Sequence, residues 1–139
     1  MIALDTSTLS RFVRRKRRSA LDDPVSAEVR RLVLERGPVV VPGIVVQEVL
    51  SGLSSRDVFQ KIRKHLESFE VTLADASEHV LAAEIRNSCR AVGIAASSVD
   101  CLIAATSVAR GASLYTTDAD FVRMAPLCGL ELHKPPASA

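Results

Sequence analysis

Short apolar runs alternate with stretches of helical period along the chain. Ile2 to Asp5 reads as a first strand. Thr6, Ser7 and Thr8 after it are residue types that cap a helix, here one running into a basic segment. Asp23-Pro24 opens a second helix with a cap followed by Pro at the first helical position. Val29, Leu32 and Val33 form its apolar stripe, and Gly37 ends it. Val39-Val40-Val41 has the composition of a strand buried on both faces, stopped by Pro42-Gly43. Ile44 to Leu50 reads as a short helix closing near Gly52. Ser54 or Ser55 then starts another that turns Val58, Phe59, Ile62, Leu66 and Phe69 inward.

Glu70 to Leu73 is a third strand. Asp75 or Ser77 caps a helix through Val92, and Ser97 caps an Ala-rich helix to Arg110. Ser113 to Thr116 is a fourth strand, Asp118 to Ala125 a short helix halted by Pro126, and Leu130 to His133 a fifth strand. The expected organisation is one domain over residues 1–134 and a frayed tail over 135–139. Strands alternating with helices predict a parallel sheet covered on both faces. Such folds bind ligands beyond the carboxyl ends of their strands. Asp5, Asp75, Asp118 and Lys134 fall there, and Asp100 lies at the start of a following helix.

With 139 residues, 47% apolar and 24% charged, the composition is that of a globular domain. The longest apolar stretch, Val39 to Val46, is broken by Pro42 and Gly43 and is far below the ~20 residues of a membrane span. An acid at position five and the lack of a basic-then-apolar leader lead to the expectation of a soluble cytoplasmic protein. Cys89, Cys101 and Cys128 form no Cys-x-x-Cys pair, and His65, His79 and His133 are scattered, so reduced buried thiols are expected and a zinc site is not.

Charge changes the picture more. Arg11, Arg14, Arg15, Lys16, Arg17 and Arg18 crowd six cations into eight residues. Of the 18 Lys and Arg, 12 remain elsewhere against 16 acids, so a basic segment sits on a body of net charge −4. That asymmetry suits a polyanion partner, and a solvated helix face explains it equally well. With four Phe, one Tyr and no Trp, stacking platforms for bases are scarce, so any nucleic acid would be held through its phosphates.

Taken singly, each acid has a plain structural use: Asp5 and Asp118 as helix caps, Asp100 in a capping-box spacing after Ser97, Glu48 as a helix residue. Together, Asp5, Asp100 and Asp118 fall at one sheet edge. Carboxylates ~4 Å apart repel by about 4 kcal/mol per pair at an effective dielectric of 20, so such a cluster calls for cations. An oxygen-only set suits Mg²⁺ or Mn²⁺, whose usual chemistry there is phosphodiester cleavage. Phosphate-binding glycine loops, a nucleophile elbow and a zinc-protease helix are all absent from the sequence.

Four ordered segments carry a resemblance. MIALDTSTL, PGIVVQEVLSG with Glu48, SVDCLIAATS with Asp100, and LYTTDADF with Asp118 resemble the acidic motifs of PIN-domain proteins, and span residues 1 to 121. The small size resembles the VapC-type toxins of toxin–antitoxin pairs. The resemblance implies a three-layer α/β/α sandwich with a central parallel sheet. It also implies a Mg²⁺- or Mn²⁺-dependent endoribonuclease, a homodimer and a cognate antitoxin protein. By the same resemblance Asp5, Asp100 and Asp118 would hold metal, and Glu48 would complete the catalytic acids. Asp120 and Thr116 would be secondary, with Asp120 orienting the helix or joining the pocket and Thr116 hydrogen-bonding a carboxylate. Arg14, Arg15, Arg17 and Arg18 are the candidate RNA contacts. Two other readings remain open on the residues: a catalytically inert PIN-like binding module, and a phospho-acceptor receiver, whose layout Asp5, Asp75, Thr116 and Lys134-Pro135 mimic. The receiver reading lacks a second acid beside Asp5.

Overall fold

The computed structural model describes residues 1–14, 23–35 and 37–136. Four short strands, β1 (Ile2–Leu4), β2 (Val39–Pro42), β3 (Glu70–Thr72) and β4 (Ser113–Tyr115), form one sheet in the order β3-β2-β1-β4. Every pairing is parallel, with Ile2 opposite Val39 on one side and Ser113 on the other, and Val40 opposite Glu70. Parallel pairing requires a crossover between neighbours, and the intervening helices supply it.

Those helices are α1 (Thr6–Arg14), α2 (Pro24–Leu34), α3 (Gly43–Leu50), α4 (Arg56–Leu66), α5 (Ala76–Ala91), α6 (Ser98–Ala109) and α7 (Ala119–Cys128). Helices α1 to α4 pack among themselves, and α5, α6 and α7 among themselves, so the sheet lies in a sandwich as expected. The core is aliphatic. Leu4, Leu9, Val41, Ile103, Leu114 and Phe121 are fully buried, each contributing about 1.5–3 kcal/mol relative to exposure.

Local chemistry sets the helix starts. Asp23 accepts from the Val25 N–H ahead of Pro24, Ser55 from the Val58 N–H, and Ser97 from the Asp100 N–H. Asp75 and Glu78 form a full capping box on α5. At α1 the cap is Asp5, whose carboxylate accepts the Thr8 N–H at 3.0 Å, rather than one of the hydroxyl residues after it.

Three expectations are corrected. Helix α7 passes through Pro126 and stops at Cys128. The ring forfeits only a bond to the carbonyl of Val122, a residue on the exposed face, and Gly129 then takes the left-handed turn at φ 73° that closes the helix. The fifth strand is a single bridge: Leu114 pairs with Leu132, its N–H donating to Glu131 O and its carbonyl accepting from His133, both at 2.8 Å. Pro135 and Pro136 follow at once and have no N–H with which to continue a ladder. Val33 and Val58, expected inward, are exposed, and Phe59 is half-buried. Residues 137–139 of the expected tail lie outside the described residues.

Among the described residues no helix is long and apolar enough to cross a membrane. All three cysteines are free: Cys89 and Cys101 are buried and Cys128 is half-buried. Burial pushes the Cys101 thiol up to about 11, which leaves it protonated and unreactive at neutral pH.

Candidate active site

The sheet order places a topological switch beside β1. From β1 the chain moves to β2 and β3 on one side, then returns to β4 on the other. The crevice where the order reverses is the ligand site of open parallel sheets. Asp5 ends β1, and Thr116 and Asp118 follow β4, so these residues meet there by topology.

Asp5 is 2% exposed, and its carboxylate is enclosed by hydroxyls. Ser7 Oγ lies 2.7 and 2.9 Å from its two oxygens, and the Thr116 hydroxyl donates to Oδ2. Thr8 Oγ1 stands 3.0 Å from both Asp5 Oδ1 and the Tyr115 carbonyl, so its single proton serves one at a time. Two of these hydroxyls accept in turn: Ser7 from the Thr117 N–H at 3.0 Å, and Thr116 from the Asp118 N–H at 2.9 Å. The backbone after β4 is thereby tied to the end of β1. Asp118 itself caps α7, accepting the Asp120 N–H at 2.9 Å. Glu48, on α3, accepts the Thr6 hydroxyl at 2.6 Å.

Asp100 occupies the first turn of α6. Burial raises its pKa above the ordinary carboxyl value, the Ser97 hydroxyl opposes that, and the charges of Asp118, Glu48 and Asp120 raise it further. Carboxylate oxygens of Asp100, Asp118 and Asp120 come within 4.8 Å of one another, and all three residues are half-buried. Three like charges at such a spacing repel by about 3–4 kcal/mol per pair at an effective dielectric of 20. Only Asp120 among them has a cationic partner in the described residues, Arg123 one helical turn on.

The structure therefore brings Asp100, Asp118 and Asp120 together most tightly. It places Glu48 near enough for its charge to act on Asp100, and ties Asp5 to Asp118 through Thr116. Asp5 does not fall in the tight oxygen group, whereas Asp120, expected as secondary, does. Oxygen donors alone suit a hard dication such as Mg²⁺ or Mn²⁺. Asp75 is taken up by its capping box and does not join the cluster.

Sequence reasoning treats Thr6 and Ser7 as capping residues and misses their contacts with Glu48 and Asp5. The available signal was a run of three hydroxyl residues directly after a strand-ending acid. Of the basic run, Arg11 pairs with Asp23 and Arg14 donates to the Val49 carbonyl at 3.2 Å. Arg15, Arg17 and Arg18 lie outside the described residues.

Comparison with known proteins fits this geometry. The PIN domain family profile matches residues 2–127. Ribonuclease VapC11 of Mycobacterium tuberculosis is 31% identical over 136 residues, covering 94% of this chain and 96% of that protein. VapC ribonuclease Mb1587 of Mycobacterium bovis is similar to the same degree. In fold, the chain resembles VapBC2 from Rickettsia felis bound to a promoter DNA fragment, with a TM-score of 0.76 at 22% identity over 96% of this chain and 98% of that one. DNA-bound VapBC from Salmonella typhimurium gives a TM-score of 0.76 at 18% identity over 95% and 96% of the two chains. With an acidic crevice at the sheet switch point and a profile match across nearly its whole length, the chain belongs to the PIN domain family.

Proposed function

We propose that this protein is a metal-dependent endoribonuclease that hydrolyses RNA phosphodiester bonds as the toxin of a toxin–antitoxin pair. The observation that carries the reading is the convergence of Asp100, Asp118 and Asp120 oxygens within 4.8 Å, beside Glu48 and Asp5. Relatives named as VapC ribonucleases, and structural neighbours solved as VapBC complexes, support the choice of RNA as substrate and of an antitoxin protein as partner. A homodimer, a cytoplasmic location and a single domain over residues 1–134 belong to the same reading.

Asp5, Asp100 and Asp118 are the proposed metal holders, with Glu48 and Asp120 completing the acidic pocket. A bound Mg²⁺ or Mn²⁺ would activate water and offset the charge that develops on the phosphate being cleaved. The chain's own residues do the rest. Thr116 and Ser7 fix the orientation of the Asp5 carboxylate, and Thr6 fixes that of Glu48. Burial and the neighbouring acids disfavour the charged form of Asp100, a penalty that a bound dication would relieve. Arg14, Arg15, Arg17 and Arg18 are proposed to add backbone contacts with RNA.

The test is cleavage of a mixed single-stranded RNA by the purified protein with Mg²⁺ or Mn²⁺, with EDTA, and with Asp100→Asn in place of wild type. Cleavage that needs the metal and is lost in the variant is the expected result. Cleavage that survives EDTA or the substitution overturns the reading. A protein that binds RNA and never cuts it in either metal is the inert module instead.

A further inference from the structure

The acidic pocket repels the polyanion it is proposed to cut, so substrate phosphates on either side of the scissile bond need cations close by. Helix α5 supplies two. Arg86 and Arg90 are one turn apart and exposed. Among the described residues neither has an acid within ion-pair distance, unlike Arg110, Arg31, Arg11 and Arg123, each of which is paired. Arg86 is nonetheless held in place: its Nη1 donates to Ser98 Oγ at 2.7 Å, at the first residue of α6.

Arg86 also joins two neighbouring depressions. One, of about 400 Å³, has Ile44, Val99 and Leu102 in its lining and His79 on its wall. The other, of about 300 Å³, is lined by Arg86 and Arg90 with the Gly93 to Ala96 loop. Two residues of the first lining are chain neighbours of the acids. Val99 directly precedes Asp100 on α6, and Ile44 lies one turn before Glu48 on the same side of α3.

We propose that this α5–α6 groove is the track for RNA flanking the scissile bond, with Arg86 and Arg90 gripping successive phosphates. The proposal rests on the endoribonuclease reading and adds the substrate path to it. Sequence pattern alone directs attention to the Arg11 to Arg18 run, because its cations are contiguous. Arg86 and Arg90 gain meaning only when α6 packs beside them.

The test follows binding of a labelled single-stranded RNA by Asp100→Asn protein in Ca²⁺ across a salt series. Each phosphate contact contributes about −0.7 to the log–log salt slope on single strands. Arg86→Gln with Arg90→Gln should flatten the slope by roughly 1.4 and weaken binding. Arg90→Gln alone should flatten it by roughly 0.7 without touching the Ser98 bond. Arg86→Lys should retain most of the slope. In the active protein the double variant should raise KM for RNA while kcat stays within about twofold, since no acid is altered. An unchanged slope overturns the groove even where wild type cleaves RNA. An unchanged slope with an altered oligomeric state in sedimentation would make the face a contact between copies instead. Wild-type protein that neither binds nor cuts RNA overturns the endoribonuclease reading itself, and the groove falls with it.

Discussion

Two kinds of buried carboxylate coexist in this molecule. Glu28 and Glu78, at 6% and 3% exposure, are as deeply placed as Asp5 at 2%. Each of the two glutamates has a guanidinium. Arg31 Nε reaches Glu28 at 2.5 Å with His133 at 2.7 Å on its other oxygen, and Arg110 holds Glu78 at 2.9 Å through both Nε and Nη2. Both carboxyls are accordingly held below the ordinary glutamate range, by those Arg hydrogen bonds first. At the sheet switch point the partners are hydroxyls and backbone N–H groups. Asp5 has Ser7, Thr8 and Thr116, Glu48 has Thr6, and Asp100 is shifted upward by burial and by its acidic neighbours. Hydroxyls orient a carboxylate without cancelling its charge. Paired acids fasten the fold, and the unpaired group stays available to a cation from solution.

The largest effect expected from breaking this contrast is on activity. Asp100→Asn should cut the RNA cleavage rate by roughly 10³-fold, measured in single turnover with saturating Mn²⁺. Its melting temperature without metal should equal or exceed that of wild type, because repulsion has been relieved. Thr116→Val removes a hydroxyl from Asp5 while keeping shape. A loss of about 10- to 100-fold in cleavage, with a higher Mn²⁺ requirement, is expected for a residue that orients a ligand.

On the paired side the readout changes. Glu78→Ala should destabilise by about 1–3 kcal/mol in denaturant melts, less than a fully enclosed pair, because Arg110 is 34% exposed. Its kcat should match that of wild type. Equal activity losses for Glu78→Ala and Asp100→Asn would erase the distinction between the two groups.

The acid limb of stability sharpens the comparison through its sign. Glu78 has a depressed folded pKa, so its contribution is present above the unfolded value of about 4.3 and fades as pH falls through the folded value. Wild type should therefore lose its advantage over Glu78→Gln on acidification. Asp100 is shifted the other way, and its ionised form costs stability. Relative to Asp100→Asn, wild type should gain as pH falls from neutral through the raised folded pKa toward about 3.9. Melting temperatures of the three proteins from pH 7 to pH 3 show whether the two gaps move in opposite directions. The smallest effect is expected at Asp120, which shares its charge with Arg123: Asp120→Asn should be milder than Asp118→Asn in the same cleavage assay.

Much of this was legible in the sequence for physical reasons. Capping residues are local, so Asp23 and Ser97 mark their helix starts without knowledge of the fold, and the choices between Ser54 and Ser55 and between Asp75 and Ser77 fall to Ser55 and Asp75. Acids that follow strands share an edge whenever the strands are parallel, and Asp5 and Asp118 were gathered by that rule. Long-range pairing was not legible. His133 meets Glu28 across 105 positions and Arg110 meets Glu78 across 32, and no local pattern announces either. The same holds for Arg86, whose partner Ser98 lies across a turn between two helices. Pro126 misled in the other direction, because a helix tolerates proline in its last turn, here two residues before its end at Cys128.

The most direct measurement of the central claim is a Mn²⁺ titration followed by thermal unfolding, run in parallel on wild type, Asp100→Asn and Glu78→Ala. A ligand that binds only the folded state raises its stability by RT ln(1 + [L]/Kd), about 2.7 kcal/mol at a hundred times Kd. The account predicts that wild type and Glu78→Ala rise together with Mn²⁺, from different starting temperatures, while Asp100→Asn stays flat over the same range. A rise in Asp100→Asn as large as that of wild type would contradict it.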